Sequence, residues 1–127
     1  MTMVLADTSV WVAHFRKSNA SFESLLINDQ ILCHPLIWIE LACGSPPAPR
    51  SKTLNHLKTL RQATVATPDE TLAFIEQHQF QESGCGAIDV SLLASTLLSE
   101  NTQLWTLDKS LEKLAVRLGV SYCNKLH

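Results

Sequence analysis

A chain of 127 residues, 46% apolar and 17% charged, with few glycines and prolines, is expected to form one domain over 1–127 that buries about two thirds of its unfolded surface. Ten Lys+Arg against twelve Asp+Glu give a net charge of -2, which excludes a broad basic footprint for nucleic acid, and Cys33, Cys43, Cys85 and Cys123 are too dispersed for a zinc-thiolate or CxxC redox site. The apolar start "MVLA" stops at Asp7 without a basic leader, and no run approaches about eighteen apolar residues, so a cytoplasmic protein without membrane insertion is expected.

The run "MVLA" reads as the first strand, ending at the turn-forming pair Asp7 and Thr8. "SVWVAHF" and "SFESLLIN" read as helices, "ILC" as a second strand, and "PLIWIELACG" as a helix started by Pro35 and stopped by Gly44 and "SPPAP". Leucines 54, 57 and 60 mark a helix over 50–61, and "TVAT" before Pro68 a further short strand. Pro68 with Asp69 and Glu70 opens the helix "PDETLAFIEQHQF". The loop "QESGCG" leads into the long helix "AIDVSLLASTLLSE". A strand "QLWTL", a helix "KSLEKLAVRL" closed by Gly119, and a last strand "VSYC" complete the chain. Alternating short apolar strands and helices specify an α/β domain whose mainly parallel sheet is covered on both faces. Trp11, Trp38 and Trp105 lie in apolar segments and belong to the core, and the five histidines show no metal-ligand spacing.

Four acids stand out against this pattern. Glu40 lies in the middle of an apolar helix, with Leu36, Ile37, Cys43 and Gly44 three and four residues away, so it has no polar face to join. A lone carboxylate stays inside only if it is paired, protonated or bound to a cation. Asp7 and Asp108 each follow an apolar strand and precede a helix, and Asp89 sits near the start of its own helix. Taken singly, these three are ordinary helix caps or Asx turns. Taken together, Asp7 and Asp108 fall at strand carboxyl ends, where a parallel sheet presents ligands, and the two helical acids can point to the same place. Such a cluster calls for a neutralising Mg²⁺ or Mn²⁺, which prefers oxygen ligands and suits phosphodiester hydrolysis by metal-activated water.

The segments "VLADTSVWVAHFR", "PLIWIELACG", "GAIDVSLLASTLL" and "LWTLDKSLEKLA" occur in the order and approximate spacing of a PIN domain, and within that family the chain resembles the VapC-type toxin ribonucleases of type II toxin-antitoxin pairs. The resemblance implies a three-layer α/β/α sandwich and an acidic quartet Asp7, Glu40, Asp89 and Asp108 that holds Mg²⁺ or Mn²⁺, supported by the hydroxyls of Thr106 and Ser9. It also implies cleavage of structured RNA such as tRNA or rRNA, a homodimer and a cognate antitoxin protein. Leu111, where relatives often carry an aromatic, and the compact "SPPAPRSK" depart from the pattern. Arg16, Lys17, Arg50, Lys52 and Lys109 are the basic groups available to hold an RNA backbone beside the acids.

Three other readings compete. An aspartyl-nucleophile phosphatase needs a second Asp two residues after the first, where this chain has Ser9. A Mg²⁺-binding receiver-like signalling module needs paired acids after the first strand and leaves Glu40 unexplained. A catalytically silent PIN-like interaction module does not account for the retention of all four acids.

Overall fold

The protein is described by a computed structural model over residues 1–122. Its elements run β1 (Met3–Ala6), α1 (Thr8–Arg16), α2 (Ala20–Ile27), β2 (Ile31–Cys33), α3 (Pro35–Ala42), α4 (Arg50–Thr59), β3 (Arg61–Gln62), α5 (Pro68–His78), α6 (Ala87–Leu98), β4 (Thr102–Trp105) and α7 (Lys109–Arg117). Val4, Leu5 and Ala6 are all buried, as are Ile31, Leu32 and Cys33. Continuous apolar runs of this kind, without in–out alternation, belong to strands covered on both faces.

The four strands are parallel and ordered β3-β2-β1-β4, with Val4 opposite Ile31, Leu32 opposite Arg61 and Ala6 opposite Trp105. From β1 the chain steps outward to β2 and β3, then returns across the sheet to place β4 on the other side of β1. Right-handed crossovers in opposite directions put α1 to α4 on one face and α5 and α6 on the other, which makes the α/β/α sandwich expected from the sequence. The strand order therefore reverses between β1 and β4, and their carboxyl ends form the switch point at which such sheets bind ligands.

Packing explains how these elements hold together. Phe22 of α2 lies against Trp11 edge-on, with ring centroids 4.7 Å apart, and against Trp105 at 5.9 Å. All three rings are buried, which ties α1, α2 and β4 into one aromatic cluster. Leu111 is fully buried on α7, so the departure from an aromatic at that position is a matter of core packing.

Two strand expectations shift in register. "TVAT" is not a strand: pairing with β2 ends at Arg61–Gln62 and the Ala63 N–H to Cys33 carbonyl bond. Beyond that, the Thr64 and Ala66 amides donate to the hydroxyls of Ser99 and Ser95 on α6. Side chains of α6 replace the ladder, and Thr67 then caps α5 in a reciprocal pair with Glu70. "QLWTL" also stops early, at Trp105, because the Thr106 side chain turns to a neighbouring carboxylate. Of "VSYC", Val120 and Tyr122 bond Leu104 in a short parallel bridge, and Cys123 lies outside the described residues.

The cap of α3 is a histidine. His34 is 1% exposed, and its Nδ1 accepts the Leu36 N–H at 3.1 Å, while Nε2 lies 3.0 Å from Ser95 Oγ. An accepting Nδ1 fixes the neutral ring with its proton on Nε2. Burial holds the imidazole pKa below its ordinary 6.5.

Two outcomes follow from this packing. Leu5→Ala, at a fully buried site on the central strand, should cost about 2–5 kcal/mol in urea unfolding. Because folding depresses the His34 pKa, the unfolded chain takes up more protons as pH falls below 6.5. The His34 share of stability is thus complete above that value and lost on acidification through the folded-state pKa. The urea midpoint of His34→Asn should fall less steeply over that window than that of the parent protein, and equal slopes would contradict a neutral buried imidazole.

Candidate active site

The acidic cluster starts from Asp7, the first residue beyond β1. Its amide donates to the Trp105 carbonyl of β4, so the carboxylate leaves the sheet exactly where β1 and β4 part. Asp7 is 5% exposed and caps α1 through Val10 N–H. Oδ1 also accepts from Ser9 Oγ, and Oδ2 accepts from Thr106 Oγ1. Burial raises its pKa, opposed by these hydrogen bonds from Ser9, Thr106 and Val10. The carboxylate is therefore held in place by donors without a matching positive charge.

Thr106 and Ser9 extend this network to the fourth acid. Thr106 Oγ1 accepts the Asp108 N–H at 3.0 Å, and Ser9 Oγ accepts the Leu107 N–H at 2.9 Å. The two hydroxyls thus fasten the turn after β4 to the turn after β1. Asp108, exposed at the start of α7, spends Oδ1 on the Leu111 amide. Its Oδ2 has no hydrogen-bond partner among the described residues. The bland reading of Asp7 and Asp108 as caps is correct for both, yet a carboxylate offers about four acceptor sites and capping occupies only part of them.

Glu40 is half-buried in α3, and its Oε1 accepts a 2.5 Å hydrogen bond from Thr8 Oγ1. Thr8 is the neighbour of Asp7, so this bond brings the apolar helix's single acid to the end of β1. Asp89, half-buried in the first turn of α6, makes no side-chain hydrogen bond among the described residues. Its pKa is raised by burial first, then by the charges of Asp108, Asp7 and Glu40. One carboxylate therefore feels the other three. Cys85, in the loop before α6, is raised by burial and by Asp89 and Asp108, which places its thiol at the rim of the same cluster.

Thr8 is the member that sequence reasoning passes over. Its position beside Asp7 is visible in "ADTS", but its partner lies 32 residues away and no periodicity links them.

The basic residues divide. Lys109 directly follows Asp108 and is exposed beside the cluster. Arg50 donates to the Gly44 and Ala42 carbonyls and so closes the carboxyl end of α3. Arg16 and Lys17 lie at the far end of α1, roughly 12 Å along its axis from Thr8. Lys52 lines a cavity with Trp11, His14 and Pro49, between α1 and α4. Among the described residues the single ion pair is Arg61–Asp29, far from the four acids in sequence, so no basic side chain neutralises the cluster.

An uncompensated set of carboxylate and hydroxyl oxygens, with no His, matches a hard cation and not a thiophilic one. Among the described residues no three His, Cys, Asp or Glu side chains draw close enough to enclose an ion.

Comparison with known proteins identifies the family and agrees with the fold. The PIN domain family matches residues 4–117. Ribonuclease VapC32 of Mycobacterium tuberculosis, from strains CDC 1551 and H37Rv, is 39% identical over 124 residues, which span 98% of this chain and 99% of the relative. The crystal structure of PAE2754 from Pyrobaculum aerophilum aligns with a TM-score of 0.55 at 21% identity, over 93% of this chain and 90% of that one, a likeness of fold alone. A parallel sheet with an acidic switch point, a family match over nearly the whole chain and a full-length relative at this identity together establish that the chain belongs to the PIN-domain family, among its VapC-type members.

Proposed function

We propose that this protein is a divalent-metal-dependent endoribonuclease and the toxin of a toxin-antitoxin pair. The observation that carries the reading is the Asp89 carboxylate, which feels Asp108, Asp7 and Glu40 at once with no basic side chain among the described residues paired to them. Like charges assembled at a sheet's ligand-binding end are a standing cost to the fold, and such a cost points to function. The name of the VapC32 relative supports ribonuclease chemistry.

Asp7, Glu40, Asp89 and Asp108 would hold Mg²⁺ or Mn²⁺, with Ser9 and Thr106 fixing the Asp7 carboxylate. When bound, such an ion lowers the pKa of water and offsets charge on phosphate oxygens. The protein's own share is positional. Asp7 is locked by three donors, Glu40 is turned by Thr8, and Asp108 keeps one oxygen free while its other caps α7. Lys109, exposed next to Asp108, is the basic group best placed to meet an RNA phosphate. Arg50 is better explained as a helix cap. A structured RNA is the substrate, a cognate antitoxin covers the acids by placing an arginine on them, and the active form is a cytoplasmic homodimer.

Purified protein should cut structured RNA with Mn²⁺ and stop with EDTA, and Asp7→Asn and Glu40→Gln should each lower the rate by about 10²-fold or more. Cleavage indifferent to metal and unchanged in both variants would sink the reading. Binding can be checked without activity. The folded-state pKa of Asp89 is raised, so its contribution to stability is complete below the ordinary 3.8 and lost as pH rises through the folded value. At neutral pH and without metal, Asp89→Asn should therefore melt ~1–3 °C higher than the parent protein. Added Mn²⁺ should stabilise the parent more than the variant. A variant that melts lower in EDTA and gains equally from Mn²⁺ would show that the four acids do not share an ion.

A further inference from the structure

Glu40 and Asp89 sit on different helices on opposite sides of the sheet, and hydrophobic packing alone sets helix positions only loosely at the scale a metal site requires. One polar link joins the two helices among the described residues. His34 caps α3, the helix of Glu40, through Nδ1, and its Nε2 meets Ser95 Oγ on α6, the helix of Asp89. We infer that the His34–Ser95 hydrogen bond is a positioning latch, which holds α3 and α6 in the register that brings Glu40 and Asp89 to the same site. The inference rests on the metal-site part of the reading above.

Three observations support it. Both partners are buried, with His34 at 1% and Ser95 at 0% exposure, so no water competes for the bond. Every acceptor in the link is used. Ser95 Oγ also receives the Ala66 N–H at 3.0 Å, and Ser99, one turn on, receives the Thr64 N–H and donates to the Ser95 carbonyl. The connection from β3 to α5 is thereby pinned to the same stretch of α6. The lever arms are also equal, since His34 precedes Glu40 by six residues and Ser95 follows Asp89 by six. That is about 9 Å along each helix, close enough to set register and too far to touch the reacting groups. Burial alone shifts the imidazole, with no neighbouring charge among the causes, and the adjacent Cys33 thiol is pushed up to about 11 by burial.

The test uses Ser95→Ala, His34→Asn and the double variant at neutral pH, well below the lowest melting temperature. Asparagine is a good helix cap, so His34→Asn keeps the start of α3 and removes only the link. Three readouts are taken: imidazole ¹⁵N shifts, Mn²⁺ affinity by electron paramagnetic resonance, and RNA cleavage resolved into kcat and KM. The ¹⁵N spectrum of the parent protein should show the neutral ring protonated on Nε2. Each single variant should weaken Mn²⁺ binding and lower kcat about tenfold with KM little changed, and the double variant should be no worse than the worse single. Parent-like Mn²⁺ affinity and kcat despite a lowered melting temperature would reduce the pair to ordinary core packing and overturn the inference. Losses that multiply in the double variant, or an Nδ1-protonated ring, would also overturn it. If the parent cleaves no RNA while Mn²⁺ affinity still falls in the variants, the ribonuclease reading fails and the latch stands.

Discussion

A carboxylate held out of water is the constraint on which the rest of this structure turns. Asp7 is almost wholly buried at the point where β1 and β4 part, and burial works against its charge. The fold answers with donors in place of cations. Val10 N–H, Ser9 Oγ and Thr106 Oγ1 all converge on the one side chain. Those hydroxyls then receive the amides of Leu107 and Asp108, so satisfying Asp7 also shapes the loop that presents the last acid. Hydrogen bonds stabilise the charged form without cancelling its field, so the site keeps its negative potential.

Capping and the build-up of negative charge therefore fall on the same side chains. Asp7 and Asp108 cap α1 and α7, and each cap points its helix start toward the cluster. Asp89 lies in the first turn of α6, where the helix dipole favours a negative charge, yet burial first and then its acidic neighbours raise its pKa. Burial and repulsion act together on this one carboxylate. Glu40 is the exception, an acid in the last turn of α3 and not, as its sequence setting suggests, at the helix middle; it has no capping work, and its hydrogen bond to Thr8 is what orients it.

Much of this could be read from the chain because local rules and tertiary demands agree over most of it. "MVLA" and "ILC" are buried on both faces and read as strands. Pro35, Pro68 and Gly119 punctuate helices as their backbone chemistry requires, with Gly119 at φ +72° where a side chain is strained. The misreadings have a common cause. "TVAT" has strand composition, but Ser95 and Ser99 of α6 compete for its amides and win, and no local pattern reveals a partner 29 or 35 residues away. The same blindness hid Thr8 behind Ser9 and left His34 without a role, since a histidine's partners are set by topology and not by spacing. The four acids were visible as oddities, and that they share an electrostatic field emerged only from the fold.

The Thr106–Asp7 hydrogen bond joins residues 99 positions apart in sequence. In the order of synthesis Asp7 precedes β4 and its threonine by that whole separation. Contacts of such long sequence separation close late, after the loop entropy between them has been overcome. Until then Asp7 lacks both its buttress and the neighbouring strand, and Asp108 does not yet exist. A chain that stops short of β4 cannot assemble the cluster, since Thr106 and Asp108 both lie beyond it.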